Sequence, residues 1–363
     1  MKIAQVAPLY ESVPPKLYGG TERVVSYLTE ELVQLGHEVT LFASGDSVTS
    51  AALRPACARS LRLEGQRVAD PVAHHARMLE MVLQESSDFD IIHFHLDYLH
   101  FSMSRRQATP SLTTLHGRLD LPELQPLFRD FAEMPFVSIS NAQRRPIAWA
   151  NWIATIHHGL PERHYIPHIE PSGYLAFLGR ISPEKRLDRA IEMAIRAGVP
   201  LRIAAKVDRA DEEYFKAKIR RLLDHPLIEY VGEIGEDQKC AFLGGATALL
   251  FPIDWPEPFG LVMIEAMACG TPVIAWNMGS VPEILEHDVT GFLVNSIDES
   301  VTAIEKAYRL DRTLCRRVFE QRFSARRMAL NYLRAYGRLC SADLCSIEEP
   351  EFAIATSSGE LPC

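Results

Sequence analysis

The sequence predicts an α/β protein made of two doubly wound parallel sheets. Three observations point there. Short apolar runs alternate with segments of helical periodicity, the pattern of parallel strands joined by crossover helices. The pattern halts at a Pro-rich, charged stretch from Pro161 to Pro171 and then restarts. The chain of 363 residues is long for a single core and suits two domains.

Lys2 to Ala7 reads as the first strand; the apolar start of the chain is too short for a signal peptide. A polar loop with Pro14, Pro15, Gly19 and Gly20 follows. Val24, Val25, Leu28, Leu32 and Leu35 then recur at helical spacing, and Gly36 ends that helix. Val39 to Ala43 is the second strand. Further strands are expected at Ile91–Phe94, Leu112–Leu115, Phe136–Ile139 and Trp152–Ile156, in a parallel sheet covered on both faces. After the linker, Leu175–Leu178 is a strand and Gly179 to Lys185 a loop. Ala190, Ile191, Ala194 and Ile195 mark a helix ended by Gly198. Strands at Leu201–Ala205, Ile228–Val231, Ala248–Phe251 and Val273–Ala275 complete the second half. The expected units are residues 1–165 and 166–323, a helix over 324–341, and a tail at 342–363 whose polar, aperiodic composition reads as disordered.

Bulk properties narrow the function. With 47% hydrophobic and 23% charged residues the chain has ordinary globular composition. A net charge of −9 argues against a general nucleic-acid binder, while leaving a local basic patch free to touch a membrane peripherally. No apolar run approaches the roughly 18 to 20 residues that span a bilayer. Seven cysteines, odd in number and without a Cys-x-x-Cys pair, fit free thiols in a reducing compartment, so the expected location is the cytoplasm.

The most informative segment runs from Glu257 to Glu265. It follows a strand, begins with Pro258 and Gly260, and leads into a helix and then another strand. Strand, tight loop, helix is how α/β proteins place a ligand at the carboxyl edge of a sheet. Glu257 falls on the loop and Glu265 within the helix. The backbone N–H groups of Phe259, Gly260, Leu261 and Val262 are the donors left open at the helix start, where phosphate is attracted. The geometry suits a ligand carrying both a diphosphate and hydroxyl groups.

This segment resembles the Glu-x7-Glu region of retaining glycosyltransferases of family 4, and the match extends from Trp255 to Val294, including Gly279-Ser280-Val281-Pro282-Glu283 and Thr290-Gly291-Phe292. The resemblance implies the GT-B architecture: two Rossmann-like domains facing an interdomain cleft, the first on the acceptor side and the second binding the donor, with the last helix crossing back to the first. It implies a nucleotide-sugar donor, with Glu257 beside the sugar and Glu265 on the ribose. Arg180 and Lys185, in Gly179-Arg180-Ile181-Ser182-Pro183-Glu184-Lys185, resemble the pair that grips the donor diphosphate. Fixed cations there would stabilise the charge that develops on the leaving group, Arg binding phosphate bidentately and Lys as a compact charge. Ser182 and Pro183 also fit the start of a helix.

Further segments carry candidate site residues. Gly19 and Gly20 join the first strand to the first helix and allow close approach of a phosphate. This is not Gly-x-Gly-x-x-Gly, which removes the main support for a nicotinamide or flavin dehydrogenase. Glycogen synthases carry Lys-x-Gly-Gly here, whereas Lys16 lies one residue further off. His116, in Thr114-Leu115-His116-Gly117, matches the family's Thr-x-His-Gly, which implies an orienting and charge-stabilising group at the reaction centre. Lys206, Glu233 and Ile234 resemble positions of the nucleobase pocket, with Ala205 where many members have Gly. Asn141 and Arg144 either line the acceptor side or cap and solvate their own helix.

A metal site is not expected. His93 and His95 share one side of a strand near His100, but no Cys or carboxylate completes a ligand set. Asp88-Phe89-Asp90 precedes its strand and so falls at the amino edge. The resulting expectation is a retaining, metal-independent hexosyltransferase with no cofactor, moving a sugar from a nucleotide diphosphate, UDP-glucose favoured, to an acceptor hydroxyl of a glycan, glycolipid or small metabolite. The alternatives are a catalytically inactive nucleotide-sugar-binding protein and a phosphorylase or epimerase of the same fold.

Overall fold

A computed structural model describes residues 1–16, 19–62 and 68–340. Seven parallel strands form the first sheet: Lys2–Val6 (β1), Glu38–Ser44 (β2), Ala52–Cys57 (β3), Ile91–Phe94 (β4), Ser111–Thr114 (β5), Phe136–Ser138 (β6) and Trp152–Thr155 (β7), in the order β3-β2-β1-β4-β5-β6-β7. Six parallel strands form the second: Tyr174–Arg180 (β8), Leu201–Lys206 (β9), Ile228–Gly232 (β10), Ala246–Phe251 (β11), Val273–Trp276 (β12) and Gly291–Val294 (β13), ordered β10-β9-β8-β11-β12-β13. The chain direction across each sheet reverses once, between β1 and β4 and between β8 and β11. Open α/β sheets bind ligands at such points, beyond the carboxyl ends of the strands.

The helices that matter here are Gly20–Gln34 (α1), Leu187–Ala197 (α2), Glu236–Gly244 (α3), Leu261–Ala268 (α4) and Ala325–Leu339 (α5). β4, β11 and β12 are buried along their whole length, as expected for strands covered on both faces. Gly198 closes α2 in the left-handed conformation, φ 66°.

α5 returns to the first sheet. Ser324 caps it by accepting from Arg327 N at 3.2 Å, and Leu160 pairs with Ser324 where the chain crosses. Gly159 has no room for a side chain at that crossing, since a Cβ would stand 2.3 Å from Ser324 O. Tyr332 and Tyr336 of α5 are fully buried and bond to residues of β1, β4 and β5. Among the described residues no helix is long and apolar enough to cross a membrane.

Several details depart from the sequence reading. β3 and β13, both at sheet edges, were not foreseen. β8 continues through Gly179 and Arg180, so Arg180 ends a strand instead of lying in a loop. Ser182 makes no side-chain cap, and left-handed Arg186 (φ 52°) separates the short turn at Pro183–Lys185 from α2. The tail at 342–363 lies outside the described residues.

Candidate active site

A cavity of about 360 Å3 lies between the carboxyl edges of the two sheets, within the range of small-molecule sites, roughly 300 to 1,000 Å3. Gly19, Gly20 and His116 line it from the first sheet. Arg180, Lys185, Lys206, Glu233, Ile234, Glu257, Phe259, Gly260, Leu261, Val262 and Glu265 line it from the second. The residues assigned to donor binding and catalysis from the sequence therefore line one crevice, whereas Lys16, Asn141 and Arg144 do not.

Two helix starts approach each other across it. Gly260 caps α4 in the left-handed conformation, φ 83°, and a Cβ there would collide with Met263 Cε at 2.8 Å. The first N–H groups of α4 have no partner within the helix and carry its positive end. On the facing side α1 opens at Gly20, where a Cβ would come within 3.7 Å of Leu261 Cδ1.

The cations of the crevice are held by carboxylates. Lys185 Nζ bonds Glu257 Oε2, which also accepts from Trp255 Nε1 at 2.9 Å. The ammonium stands 5.5 and 5.4 Å from the ring centres of Phe251 and Trp255. Arg180 pairs with Glu184 and lies 3.6 Å from both Asp208 and Asp211, while Lys206 reaches Asp208 at 3.0 Å. The Glu257 loop is pinned by the neighbouring Gly279-Ser280 turn. Ser280 N donates to Glu257 O at 3.0 Å, and a Cβ on left-handed Gly279 (φ 59°) would stand 2.5 Å from Glu257 N.

Glu265 is 3% exposed and carries a network the sequence reading missed. Its Oε1 accepts from Arg23 Nη1 at 2.7 Å, Lys239 Nζ at 2.9 Å and the Tyr165 hydroxyl at 3.5 Å. Arg23 and Lys239 also face Glu236, at 3.3 and 2.9 Å. Arg23 belongs to α1 and Glu265 to α4, so this ion network ties the two halves together. Burial works against the charge of Arg23, but Glu265 and Glu236 more than offset it and hold its pKa above the usual range.

Other contacts join the halves near the crevice. Ser140 Oγ donates to Pro258 O at 2.6 Å, and Glu283 accepts from the N–H groups of Asn141 and Ala142 at 2.7 and 2.6 Å. Asn141 and Arg144 do not line the crevice: Asn141 Oδ1 accepts from Thr155 Oγ1, Arg144 donates to the same hydroxyl at 3.0 Å, and its guanidinium lies over Trp152. Neither side chain caps the helix over Asn141–Arg144, whose cap is Ser140, accepting from Gln143 N at 3.0 Å; both bond instead to Thr155 of β7. Lys16 is also outside the crevice lining, 3.7 Å from Asp46. Asp90 accepts from Lys2 N at the amino edge.

His116 lies two residues past the end of β5 with its ring against the crevice. Its Nε2 meets His95 Nδ1 at 2.9 Å, and its ring stacks on that of His158 at 5.3 Å. Nδ1 is buried and has no hydrogen-bond partner. Desolvation pushes its pKa down to about 3. The ring is therefore neutral near pH 7, and orientation, not positive charge, is what it offers. His93 and His95 are hydrogen-bonded at both ring nitrogens.

Comparison with known proteins agrees with this geometry. Residues 18–164 match the family model described as Glycosyltransferase Family 4, and residues 163–321 match the one described as Glycosyl transferases group 1. A phosphatidyl-myo-inositol mannosyltransferase of Mycobacterium leprae is 26% identical over 331 residues, covering 84% of this chain and 86% of its own. Among solved structures, sucrose-phosphate synthase from Thermosynechococcus elongatus superposes with a TM-score of 0.75 at 18% identity, over 93% of this chain and 99% of that one. HepE from Anabaena, in complex with UDP-glucose, superposes at 0.66 with 18% identity, over 92% of this chain and 98% of that one.

Proposed function

Since the chain belongs to glycosyltransferase family 4 and is a glycosyltransferase of the GT-B type, we propose that it is a retaining, metal-independent hexosyltransferase using a nucleotide diphosphate sugar. The observation that carries this is the grouping of Arg180, Lys185, Glu257 and Glu265 around the Gly260-led start of α4, facing His116 across one crevice.

In this reading the donor diphosphate sits on the N–H groups of residues 259–262 between Arg180 and Lys185. It replaces their carboxylate partners, which frees Glu257 to meet hydroxyls of the sugar. As the glycosidic bond breaks, charge grows on the leaving phosphate, and both cations and the helix dipole stabilise it more than they did the ground state. These groups supply the positive charge for which other transferases recruit a metal, which supports metal independence. Glu265, held by Arg23 and Lys239, is oriented for the ribose hydroxyls, and Lys206, Glu233 and Ile234 flank the base. The acceptor hydroxyl enters beside His116 and attacks on the face that the diphosphate leaves, the departing phosphate taking its proton. Closure of the crevice keeps water from the donor.

A uridine diphosphate hexose is our working donor, the acceptor is a hydroxyl of a glycan, glycolipid or small metabolite, and the cytoplasm is the proposed compartment. The test is a donor panel scoring nucleoside diphosphate release, with and without cell extract and with and without a chelator. Release that survives chelation, with retained anomeric configuration in the product, is expected. Nucleotide binding without any release would leave a binding protein, and a requirement for inorganic phosphate would point to phosphorolysis.

A further inference from the structure

Behind His116 runs one continuous chain of hydrogen bonds that ends on the C-terminal helix. His95 Nδ1 meets His116 Nε2 at 2.9 Å, and His95 Nε2 meets Gln5 Oε1 at 2.8 Å. Gln5 Nε2 donates to the Tyr336 hydroxyl at 3.0 Å, which meets His93 Nδ1 at 2.8 Å. His93 Nε2 then meets Thr114 Oγ1 at 2.7 Å, and Thr114 meets the Tyr332 hydroxyl at 2.9 Å. Gln5, His93, His95, Thr114, Tyr332 and Tyr336 are all buried, so each link is shielded from bulk solvent.

The polarity of the chain follows from elementary rules. An amide oxygen only accepts, and a neutral imidazole has one donor and one acceptor nitrogen. Gln5 Oε1 therefore requires the proton of His95 on Nε2. That makes His95 Nδ1 an acceptor, which in turn requires the proton of His116 on Nε2. The nitrogen left over, His116 Nδ1, keeps a lone pair, and it is the atom without a partner. Turning the Gln5 amide over would reverse each link and convert Nδ1 into a donor. Burial keeps His93 and His95 well below the usual histidine pKa, which prevents either ring from becoming a double donor.

We propose that Gln5, anchored by Tyr336, is a positioning residue that fixes the tautomer of His116 through His95, so that the cleft meets a hydrogen-bond acceptor suited to a sugar or acceptor hydroxyl. The use made of that acceptor rests on the glycosyl-transfer reading; the tautomer itself does not. The last helix thus contributes to the chemistry of the first domain without lining the site.

The experiment labels the full chain with 15N-histidine and reads ring-nitrogen shifts without donor, a His116→Asn variant identifying the resonance. The native protein should show His116 protonated on Nε2. Gln5→Glu, whose carboxylate also only accepts, should keep that tautomer. Gln5→Leu should mix the two forms and lower kcat roughly fivefold, with donor KM within about twofold, the scale of one lost hydrogen bond. Should Gln5→Leu fail to fold, Tyr336→Phe removes the amide's other anchor by a single atom and should act in the same direction. A native His116 protonated on Nδ1 would overturn the proposal. So would a tautomer and kcat unchanged in both Gln5→Leu and Tyr336→Phe, or a mixed tautomer with native kcat. The expected tautomer in a protein that transfers no sugar would instead count against the glycosyl-transfer reading alone.

Discussion

Breaking the ion network at Glu265 tests how far one buried carboxylate serves both stability and donor binding. Glu265 faces two cations, Arg23 at 2.7 Å and Lys239 at 2.9 Å, in a place where it is 3% exposed. Arg23→Met leaves Glu265 with Lys239, so the expected loss is that of one charged hydrogen bond, about 1.5–3 kcal/mol. Glu265→Gln leaves two buried cations to share Glu236, and removal of one partner from a buried pair costs about 3–5 kcal/mol. The double variant removes a cation together with the carboxylate and should cost less than the two losses summed, with a coupling of about 1–3 kcal/mol. Urea unfolding of the four proteins measures this, and calorimetric titration with nucleoside diphosphate should show weaker binding in Glu265→Gln. A coupling below about 0.5 kcal/mol, the usual additivity error, would mean that the contact does not bind the two halves. Unchanged nucleotide affinity would remove Glu265 from the ribose.

Three more outcomes are expected. Gly279→Ala forces a side chain onto the Glu257 backbone at a left-handed position; it should cost about 1–3 kcal/mol in thermal unfolding and lower kcat more than the melting shift explains, and native kcat would show that the Glu257 loop is not critical. Lys185→Met should depress the donor-saturated rate by roughly 10²–10³, the range for losing one transition-state charge contact, and an undiminished rate in initial-velocity assays would exclude it. Burial holds His100 and His116 down to about 3, so the folded state binds fewer protons than the unfolded one between that value and about 6.5. Stability is then complete above pH 6.5 and is lost as pH falls towards 3, at about 1.4 kcal/mol per pH unit for each histidine. Calorimetric melting at pH 7.5 and 5.5 should show the lower Tm at pH 5.5, and equal values would contradict the buried, neutral rings.

What the sequence made legible was local. Apolar runs such as Ile91-Ile92 and Leu249-Leu250 marked central strands because parallel strands are buried on both faces, and Gly198 marked a helix end because it must adopt positive φ. The Glu257–Glu265 stretch was visible because a strand, a Gly-led turn and a helix start follow one another in a single segment, whereas Arg180, Lys185, His116, Lys206, Glu233 and Ile234 were reached through the family resemblance. β3 was hidden because it is a half-exposed edge strand containing Arg54 and Pro55. β13 is a four-residue edge strand opened by Gly291. The segment at 212–224 mixes α, π and 3-10 turns, so no single period runs through it. Long-range partners were out of reach. Arg23 looks like a solvated helix residue until α1 meets α4, and Glu265 is 242 positions away. His93 and His95 do share one side at the end of β4, but Tyr336, the partner of His93, comes from the far end of the chain.

The most direct measurement is a crystal structure of the protein soaked with a nucleoside diphosphate. Density for the diphosphate is expected between Arg180, Lys185 and the first N–H groups of α4, with ribose hydroxyls on Glu265. Nucleotide bound on another surface, with this crevice empty and the Lys185–Glu257 pair undisturbed, would contradict the assignment of the site.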